Sequence, residues 1–461
     1  MHKVIINGRE TVAKNGVKLS DLLISEGFSA EHPCGGKGVC KKCNVLVNGK
    51  SELSCQYVIN EDITVEFSQN DGVFCETGVK EHGTRSENLC LVLDLGTTTL
   101  ALALISLDTA KTVKVVTADN PQRRFGADIM TRIDYCTKNS VFPVQRVLIE
   151  RINELIAQLN AEGTDKMFVS GNVTMLHLLF GVDPSSIGAA PYTPTFLESK
   201  TEKGENLGLT GIKTVVCLPS VSSFVGADIV AGLNLLGMPD GDKFNLLIDL
   251  GTNAEVVLYS KEKALCTAAA AGPCFEGANI SSGMSAVSGA VYSFKDGKPL
   301  TVSGASPKGI CGTGLVDAMA HLIKTGKIDE TGLMEEGLFS VAEAVTLTQG
   351  DVRQFQLAKS AVYSAVLCLI NQMGITFGDI DKMFISGGFS AKLDIENAAL
   401  TGLLPNELKN KCEAVSNSSL KGTIKFATEQ NDLSRYLKIA QYVDLSADPL
   451  FTDLFTQNML F

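Results

Sequence analysis

Four cysteines near the start of the chain have the side chains and spacing best suited to bind a metal group. They follow the pattern C-x5-C-x2-C-x11-C, with glycine and lysine residues in the first interval: Cys34, Cys40, Cys43 and Cys55. Thiolates from one loop and one later strand are what a [2Fe–2S] cluster requires. The glycines let backbone amides approach the sulfur atoms. The sequence therefore predicts an iron–sulfur cluster bound by these four residues.

Two alternatives apply to this group of cysteines. Four thiolates also bind zinc, although zinc fingers typically pair two short C-x2–4-C units, and only one such unit is present here. Cys75 could replace Cys55 as the fourth ligand, but Cys55 follows an Asn48-Gly49 turn at a strand-like position and is favoured. The chain has 13 cysteines, and most of the others lie in apolar surroundings typical of a core.

A second set of candidate residues lies in two similar turns, residues 94–99 and 249–253, each containing Asp-Leu-Gly-Thr. Glycine and threonine at a hairpin bend present amides and hydroxyls to a phosphate. An aspartate at the strand end can hold Mg²⁺ through water. We therefore predict that Asp94 and Asp249 are the Mg²⁺ and phosphate carboxylates of an ATP site. The predicted phosphate contacts are Gly96, Thr97, Thr98, Thr99, Gly251, Thr252 and Asn253.

Further residues complete the predicted nucleotide site. Ser386, Gly387 and Gly388 follow an apolar strand and provide a flat surface for adenosine. Glu255, after the second turn, could orient the attacking water. Gly312 and Gly314 are predicted to touch ribose or phosphate, with helix–strand packing as an equal alternative.

An internal repeat divides most of the chain into two halves. Residues 91–97 recur as residues 246–252, and residues 165–171 recur as residues 381–387, in the same order. In each half the Asp-Leu-Gly-Thr turn leads into a second apolar run, as a hairpin would. Repeated motifs in the same order indicate a duplicated α/β unit. We place the first half at residues 89–243 and the second, which has about sixty extra residues between its motifs, at residues 244–461.

The first part of the chain has a different pattern. Strand-like runs flank an Asn7-Gly8 hairpin turn, a helix of residues 21–25 could be capped by Ser20, and strands of residues 44–47 and 63–67 follow the cysteine loop. This pattern predicts an α+β β-grasp domain over residues 1–70. Residues 71–88 are polar and glycine-containing, and we assign them to a linker.

Composition narrows the possible partners. Acidic residues outnumber basic ones by 51 to 40, and the formal net charge of −11 argues against nucleic acid as a partner. The chain opens without a signal-peptide pattern, and its apolar runs are about half the length of a membrane span. These features predict a cytoplasmic protein with no membrane partner.

Two resemblances extend this interpretation. The paired turns with the late Ser-Gly-Gly resemble the superfamily of acetate and sugar kinases, heat-shock chaperone ATPases and actin. The fusion of a ferredoxin-like [2Fe–2S] module to such an ATPase is similar to the reductive activators of corrinoid-dependent enzymes. Five further segments resemble that family: residues 120–122, 125–128, 170–175, 224–228 and 309–317, which read NPQ, FGAD, SGNVTM, FVGAD and GICGTGLVD.

The resemblance implies the fold and the activity. A β-grasp ferredoxin-like domain would precede an α/β actin-like ATPase of two duplicated halves. The protein would use ATP to pass one electron to Co(II) in a corrinoid protein of a methyltransferase system, regenerating Co(I). The electron would come from an external low-potential donor of ferredoxin or flavodoxin type. Plant-type clusters have reduction potentials near −400 mV. Each 59 mV by which the potential of the cobalt acceptor lies below that of the cluster lowers the equilibrium constant for one-electron transfer by a factor of about ten.

Three other functions share parts of this pattern. A small-molecule kinase with a fused iron–sulfur module would keep both phosphate turns but needs a substrate pocket. A chaperone-like reactivase would use ATP to remodel a cobalamin enzyme without redox chemistry. Activators of radical dehydratases share the ATPase halves, but they place a [4Fe–4S] cluster between subunits, which the N-terminal cysteine module speaks against.

Overall fold

The computed structural model describes residues 1–26, 28, 36, 38, 43–67, 77–161, 164–388 and 390–461. Within these residues, a five-stranded sheet precedes two six-stranded sheets. Three large hydrophobic cores pack against these sheets. Cys34, Cys40, Cys75, Gly27 and Phe389 lie outside the described residues.

The N-terminal unit has the sheet of a β-grasp fold. Its elements are β1 His2–Ile6, β2 Arg9–Ala13, β3 Val17–Lys18, α1 Leu19–Ser25, β4 Asn44–Val47, β5 Lys50–Leu53, β6 Val58–Ile59 and β7 Ile63–Glu66. The order β2-β1-β7-β4-β5 places the parallel pair β1 and β7 at the centre. Val4, Ile6, Leu19, Leu23 and Val65 are fully buried beneath it. Hairpin, helix and strands thus form as the sequence predicts.

Two local details refine the sequence interpretation. Asn7 and Gly8 have φ values of +46° and +84°, which suit a two-residue hairpin turn between β1 and β2. The predicted cap by Ser20 is wrong, because α1 begins at Leu19, two residues before the predicted start, and Lys18 takes the capping position without a side-chain bond. The hydroxyl of Ser20 instead bonds Asp21 within the helix.

Residues 77–88, the described part of the predicted linker, run along the first half of the ATPase region. The amides of His82 and Gly83 donate to the Thr112 carbonyl, and the Glu81 carboxylate accepts from the Val115 amide at 2.7 Å. Gly78 has φ +59°, and a Cβ there would lie 2.7 Å from the Ser416 Cβ. This segment is therefore attached to the rest of the protein at several points, although most of its residues are exposed.

The first half is built on a six-stranded sheet of order β10-β9-β8-β11-β13-β12. Its elements are β8 Leu89–Leu95, β9 Thr99–Ser106, β10 Lys111–Asp119, α2 Ile129–Lys138, α3 Phe142–Gln158, β11 Lys166–Gly171, α4 Val173–Leu179, β12 Lys200–Lys203, α5 Gly204–Leu207, β13 Thr214–Cys217 and α6 Ala227–Leu236. The near-continuous apolar strands β8 and β11 pair in parallel and are buried on both faces.

The second half repeats this arrangement in the order β23-β22-β14-β15-β16-β24. Its central elements are β14 Phe244–Leu250, β15 Ala254–Tyr259, β16 Ala264–Ala269, β22 Ile380–Ser386, β23 Cys412–Ala414 and β24 Ala440–Tyr442. In both halves an antiparallel hairpin carries the Asp-Leu-Gly-Thr turn, and a parallel strand follows at its other side. The structure thus confirms the duplicated α/β fold.

The extra residues of the second half fold around two helices. They form β17 Ala290–Lys295, β18 Lys298–Thr301, β19 Gly309–Ile310, α7 Gly312–Lys324, β20 Leu338–Ala342, β21 Val345–Thr348 and α8 Gln349–Met373. The remaining helices are α9 Ile395–Leu400, α10 Ser418–Glu429, α11 Ser434–Ile439 and α12 Pro449–Gln457. A capping box between Thr348 and Asp351 starts α8. None of the described helices is long and apolar enough to cross a membrane.

Packing contacts join the three units. In α10, buried Leu420 and Ala427 belong to the core of the first half, although the helix lies far along the chain in the second. In α1, Ile24 packs against the same core, and the charge of Asp21 adds to burial in raising the pKa of Tyr135 on α2. The N-terminal unit therefore contacts the first half through α1.

Candidate nucleotide and thiolate sites

The first candidate turn lies at the end of β8, where Asp94 faces the neighbouring strand β11. Asp94 is opposite Ser170 in the register of these strands. Its carboxylate accepts hydrogen bonds from Asn417 Nδ2 at 2.8 Å and from Ser419 Oγ at 2.7 Å. Burial raises the pKa of Asp94, and these two bonds counteract that rise. The first aspartate is thus held by residues at the start of α10.

The backbone of this first turn is braced from behind. Asn120 Nδ2 donates to the Gly96 carbonyl at 2.8 Å, and its amide donates to the Thr98 carbonyl at 2.8 Å. Arg132 Nη2 donates to the Thr97 carbonyl at 2.6 Å, and Asn172 Nδ2 donates to the Thr97 hydroxyl at 2.9 Å. Charged and polar bonds to three consecutive peptide groups hold the turn in one conformation.

Arg132 is a buried cation directly behind the turn. It is fully buried, and this desolvation lowers its pKa to about 9. Its Nε donates to the Gly126 carbonyl at 2.9 Å, so its side chain connects two loops. A buried positive charge beside the predicted phosphate turn favours an anionic ligand there.

The second candidate turn lies at the end of β14, where Asp249 occupies the position equivalent to Asp94. Asp249 is opposite Glu255 on β15 and opposite Ser386 on β22. Burial raises the pKa of Asp249 to about 6, a hydrogen bond from Ser386 lowers it, and the charge of Asp94 raises it further. The carboxylate of the first turn therefore raises the pKa of the carboxylate of the second turn.

Two more carboxylates belong to this region. Burial raises the pKa of Asp228, in the first turn of α6, to about 7, and the charges of Asp249 and Asp94 contribute. Burial likewise raises the pKa of Glu255 well above its usual value, with contributions from Asp228 and Asp249. Burial raises the pKa of all four acids, and neighbouring carboxylates raise it further in Asp249, Asp228 and Glu255. A bound cation relieves this repulsion.

The way in which these acids suit Mg²⁺ follows from their spacing. Among the described residues, no three His, Cys, Asp or Glu side chains come close enough to hold a metal ion together. Mg²⁺ keeps several waters and is often held by one or two carboxylates plus substrate phosphates. The site therefore fits Mg²⁺ bound with ATP through water better than a closed metal site made by the protein alone.

A carboxylate that the sequence analysis missed connects the two turns. Glu276 Oε1 accepts a hydrogen bond from Thr98 Oγ1 at 3.2 Å, and its Oε2 accepts one from Thr252 Oγ1 at 2.6 Å. Thr98 lies in the first turn and Thr252 in the second, so the two predicted phosphate turns meet at one side chain.

The start of α10 makes a second connection between the halves. The hydroxyls of Ser418 and Ser386 lie 2.7 Å apart, and those of Ser419 and Ser170 lie 2.8 Å apart. Ser386 is the last residue of β22, and Ser170 lies near the end of the equivalent strand β11. Two consecutive residues of α10 thus contact corresponding positions of the two halves.

The glycines of the predicted site have different surroundings. Gly388 is exposed with no atom within 4 Å of its added Cβ, whereas a Cβ on Gly387 would lie 2.1 Å from the Leu250 carbonyl oxygen. Gly312 and Gly314 are buried, and a Cβ on either would lie within 2.3 Å of a backbone oxygen. Packing accounts for the latter pair, and their nucleotide contact stays a prediction.

The remaining phosphate-turn residues keep the turns tight. The Gly96 amide donates to the Thr99 carbonyl, and the Gly251 amide donates to the Asn253 carbonyl, at 3.1 Å and 2.9 Å. A Cβ on Gly96 would lie 2.6 Å from the Thr99 oxygen, so this position requires glycine. Both turns are closed by a backbone hydrogen bond from their glycine, and the second turn is one residue shorter than the first.

Two of the predicted cluster ligands lie together in the N-terminal unit. Cys43 and Cys55 are 4% and 1% exposed, and their sulfur atoms are 3.2 Å apart. This separation is well beyond a disulfide bond of about 2.05 Å. Burial raises the pKa of Cys43, a cost that a bound cationic metal removes. Two adjacent buried sulfur donors fit a shared iron centre, while Cys34 and Cys40 lie outside the described residues.

Sequence reasoning missed three residues whose partners are remote in sequence. Glu276, Arg132 and Asn417 carry no recognisable spacing relative to the turns they contact. Asp228 had a local signal, because it stands in the first turn of a helix directly after a glycine-containing loop. That signal alone did not separate a site residue from an ordinary helix start.

Comparison with protein families gives two consecutive matches. Residues 89–240 match the family model described as the RACo middle region. Residues 243–461 match the model described as the C-terminal domain of RACo, the ASKHA domain. The two models follow one another without overlap and cover both halves of the ATPase region.

Curated relatives and a solved structure extend over nearly the whole chain. The corrinoid activation enzyme RamQ of Eubacterium limosum is 25% identical, with 96% of each chain covered. A Co(II) methylated amine-specific corrinoid protein reductase of Methanosarcina barkeri is 26% identical, covering 77% of this chain and 72% of the relative. A solved reductive activator for corrinoid, iron–sulfur protein has a TM-score of 0.73 at 26% identity, covering 100% and 98%.

Proposed function

Because the chain belongs to the RACo family, we propose that it is an enzyme that reductively activates a corrinoid protein of a methyltransferase system at the expense of ATP. The relatives that match most of its length are named for this activity. The observation that carries the proposal is the meeting of two equivalent turns at Glu276, in a chain that also holds a buried pair of thiols.

In this proposal the ATPase region binds Mg·ATP between its halves. The hydroxyls of Thr98 and Thr252 and the amides of both turns receive the phosphates. Asp94 and Asp249 would hold Mg²⁺ through its waters, and Glu255, a carboxyl whose pKa burial raises, would orient the attacking water. Adenosine lies on the open surface at Gly388.

The N-terminal unit supplies the electron path. Cys34, Cys40, Cys43 and Cys55 are the proposed ligands, with Cys43 and Cys55 already adjacent and buried. A [2Fe–2S] cluster, when bound, supplies a one-electron carrier at about −400 mV. Gln56 Nε2 lies 3.5 Å from Cys55 Sγ and donates to the Gly36 carbonyl at 2.8 Å, which fixes the thiol relative to the cysteine loop.

Coupling requires that ATP favour one arrangement of the protein over another. The start of α10 is suited to this, because Asn417 and Ser419 hold Asp94 while Ser418 contacts Ser386 in the other half. A change at Asp94 on phosphate binding shifts α10 relative to both sheets. We propose that this movement alters the surface offered to the corrinoid protein, while an external low-potential donor re-reduces the cysteine module.

The test is anaerobic rapid mixing with a Co(II) corrinoid protein and a low-potential reductant. We expect the absorbance of Co(I) to form only with Mg·ATP present, together with ATP hydrolysis. Iron and acid-labile sulfide should be present at two atoms each per chain in the reconstituted protein. Full reduction without ATP, or absence of iron and sulfide, would overturn the proposal.

A matched variant separates the alternatives. Cys43→Ser should abolish Co(I) formation while leaving ATP binding unchanged. Cys266→Ser, at a buried cysteine in the sheet of the second half, should retain both Co(I) formation and ATP binding. Corrinoid activation by the Cys43→Ser protein would favour a chaperone-like reactivase. Stoichiometric transfer of phosphate to an added small molecule would favour a kinase.

A further inference from the structure

Glu276 accepts hydrogen bonds from one threonine of each phosphate turn, and it has no role in the site predicted from the sequence. The two bonds come from Thr98 Oγ1 and Thr252 Oγ1 and use different carboxylate oxygens. The two threonines stand 154 residues apart, one residue after Thr97 and one after Gly251, in the repeated halves. A single anionic group thus engages both halves of the cleft.

The same hydroxyls cannot donate to Glu276 and to a phosphate at once. A hydroxyl has one hydrogen to donate. Phosphate oxygens and a carboxylate are both anionic acceptors, so they compete for these donors and repel each other when both are close. In the free protein, the two hydroxyls that would donate to phosphate therefore donate to the Glu276 carboxylate instead.

The position of Glu276 is set by a rigid turn. It ends the 3₁₀ turn Pro273–Glu276, between Gly272 at φ +76° and Gly277 at φ +80°. Cys274 and Phe275 anchor the turn in the core of the second half, and the Phe275 carbonyl packs against Gly312 at the start of α7. The carboxylate is consequently mounted on the second half and reaches across to the first.

We propose that Glu276 is a latch that the phosphates of ATP displace. In the free protein it joins the two halves through Thr98 and Thr252, and it releases both hydroxyls when phosphate binds. This inference rests on the proposed nucleotide site and adds a residue that opposes binding within it. Its consequence is that ATP binding breaks a specific link between the halves before making its own.

The experiment measures the affinity of the anaerobically prepared full chain for Mg·ATP by isothermal titration calorimetry. Glu276→Gln keeps the size of the side chain but removes its charge, and we expect the Kd to fall about tenfold. Glu262→Gln, at an exposed glutamate of the same half, is the control and should leave the Kd unchanged. A Kd that is unchanged or raised in Glu276→Gln overturns the latch.

Thermal unfolding distinguishes a latch from a merely structural contact. Without nucleotide, Glu276→Gln should unfold at a lower temperature than the unsubstituted protein. With saturating Mg·ADP the difference should disappear, because the link is then already broken. A loss of stability that is the same with and without nucleotide overturns the latch. Failure of the unsubstituted protein to bind Mg·ATP overturns the proposed function and the latch with it, whereas binding without a gain in Glu276→Gln overturns the latch alone.

Discussion

The two halves place equivalent aspartates at the ends of equivalent strands but surround them differently. Asp94 accepts bonds from Asn417 and Ser419, and its turn is braced by Arg132. Asp249 receives a bond from Ser386 and lies among the charges of Asp228 and Glu255. The first turn is thus rich in donors, and the second is rich in acids.

This contrast indicates that the two duplicated halves have different roles in ligand binding. A donor-rich turn with a buried cation suits the phosphate anion. A group of desolvated acids with raised pKa values suits a hydrated cation, which restores their ionised forms. We therefore assign the phosphate chain mainly to the first half and Mg²⁺ mainly to the second, and the following predictions test that assignment.

The largest expected effect comes from neutralising the acid of the second turn. Asp249→Asn should lower ATP hydrolysis by on the order of 10²–10³-fold, because it removes a carboxylate that orients the metal waters. Asp94→Asn should lower it by about 10–100-fold, since Asn can still accept the bond from Ser419. Steady-state phosphate release over a range of Mg²⁺ concentrations measures both.

The control for this pair is the dependence on metal. Both variants should raise the Mg²⁺ concentration needed for half-maximal hydrolysis, and Asp249→Asn should raise it several-fold more than Asp94→Asn does. Equal shifts in the two variants would show that the halves share the metal and would refute the assignment.

The next effect concerns the cation of the first turn. Arg132→Met should weaken Mg·ATP binding about tenfold, equivalent to about 1.4 kcal/mol, because the Thr97 carbonyl loses its charged donor. Equilibrium binding of a fluorescent ATP analogue measures this. Arg146→Met, at an exposed arginine beside Glu150, should bind as the unsubstituted protein does. Equal affinity of Arg132→Met and the unsubstituted protein would show that this buried cation does not contribute to Mg·ATP binding.

The acids of the second turn should also give the free protein a characteristic pH dependence. In the folded chain the pKa values of Asp249 and Asp228 are raised to about 6 and about 7 from 3.8. The folded state therefore binds more protons than the unfolded state between about pH 4 and 7, and stability falls as pH rises through this window.

Asp228→Asn should flatten this decline. We expect the unfolding temperature of the nucleotide-free variant to exceed that of the unsubstituted protein by roughly 2–5 °C at pH 7.5 and to match it near pH 4. Asp240→Asn, at an exposed aspartate, should follow the unsubstituted protein throughout. Parallel curves for Asp228→Asn and the unsubstituted protein would show that burial at this site carries no proton linkage.

The smallest effect tests whether the segment before the first half supports the first turn. Gly78→Ala places a Cβ 2.7 Å from that of Ser416, the residue before Asn417. We expect ATP hydrolysis to fall about two- to fivefold, by less than 1 kcal/mol. Gly241→Ala shares the φ of +59° but has no atom within 4 Å, so it controls for backbone strain alone. Identical activity in the two variants would separate this segment from the site.

The sequence predicted those parts of the fold that local rules determine. The turn at Asn7-Gly8 and the hairpins after Asp94 and Asp249 follow from residue types at fixed short spacings. The repeat predicted two duplicated α/β halves, and in the structure β8 pairs with β11 as β14 pairs with β22. The adjacent position of Cys43 and Cys55 likewise agrees with the ligand set chosen from spacing.

The contacts that join the halves had no such signal. Asn417 reaches Asp94 across 323 positions of sequence, and Glu276 reaches Thr98 across 178. Such pairs depend on how two sheets approach each other, which residue spacing does not encode. Ser20 shows the same limit on a small scale, because the start of α1 shifted by tertiary packing of Leu19.

Helix α2 directly connects the first turn to the N-terminal unit. Arg132 on this helix grips the first turn, and Tyr135, one turn further on, packs against Phe125 and experiences the charge of Asp21 from the N-terminal unit. A helix of ten residues tilts as a stiff rod, so a displacement of the Thr97 peptide is felt about 5 Å away without any intervening loop. Ligand binding at the first turn and the position of the N-terminal unit are therefore coupled through α2.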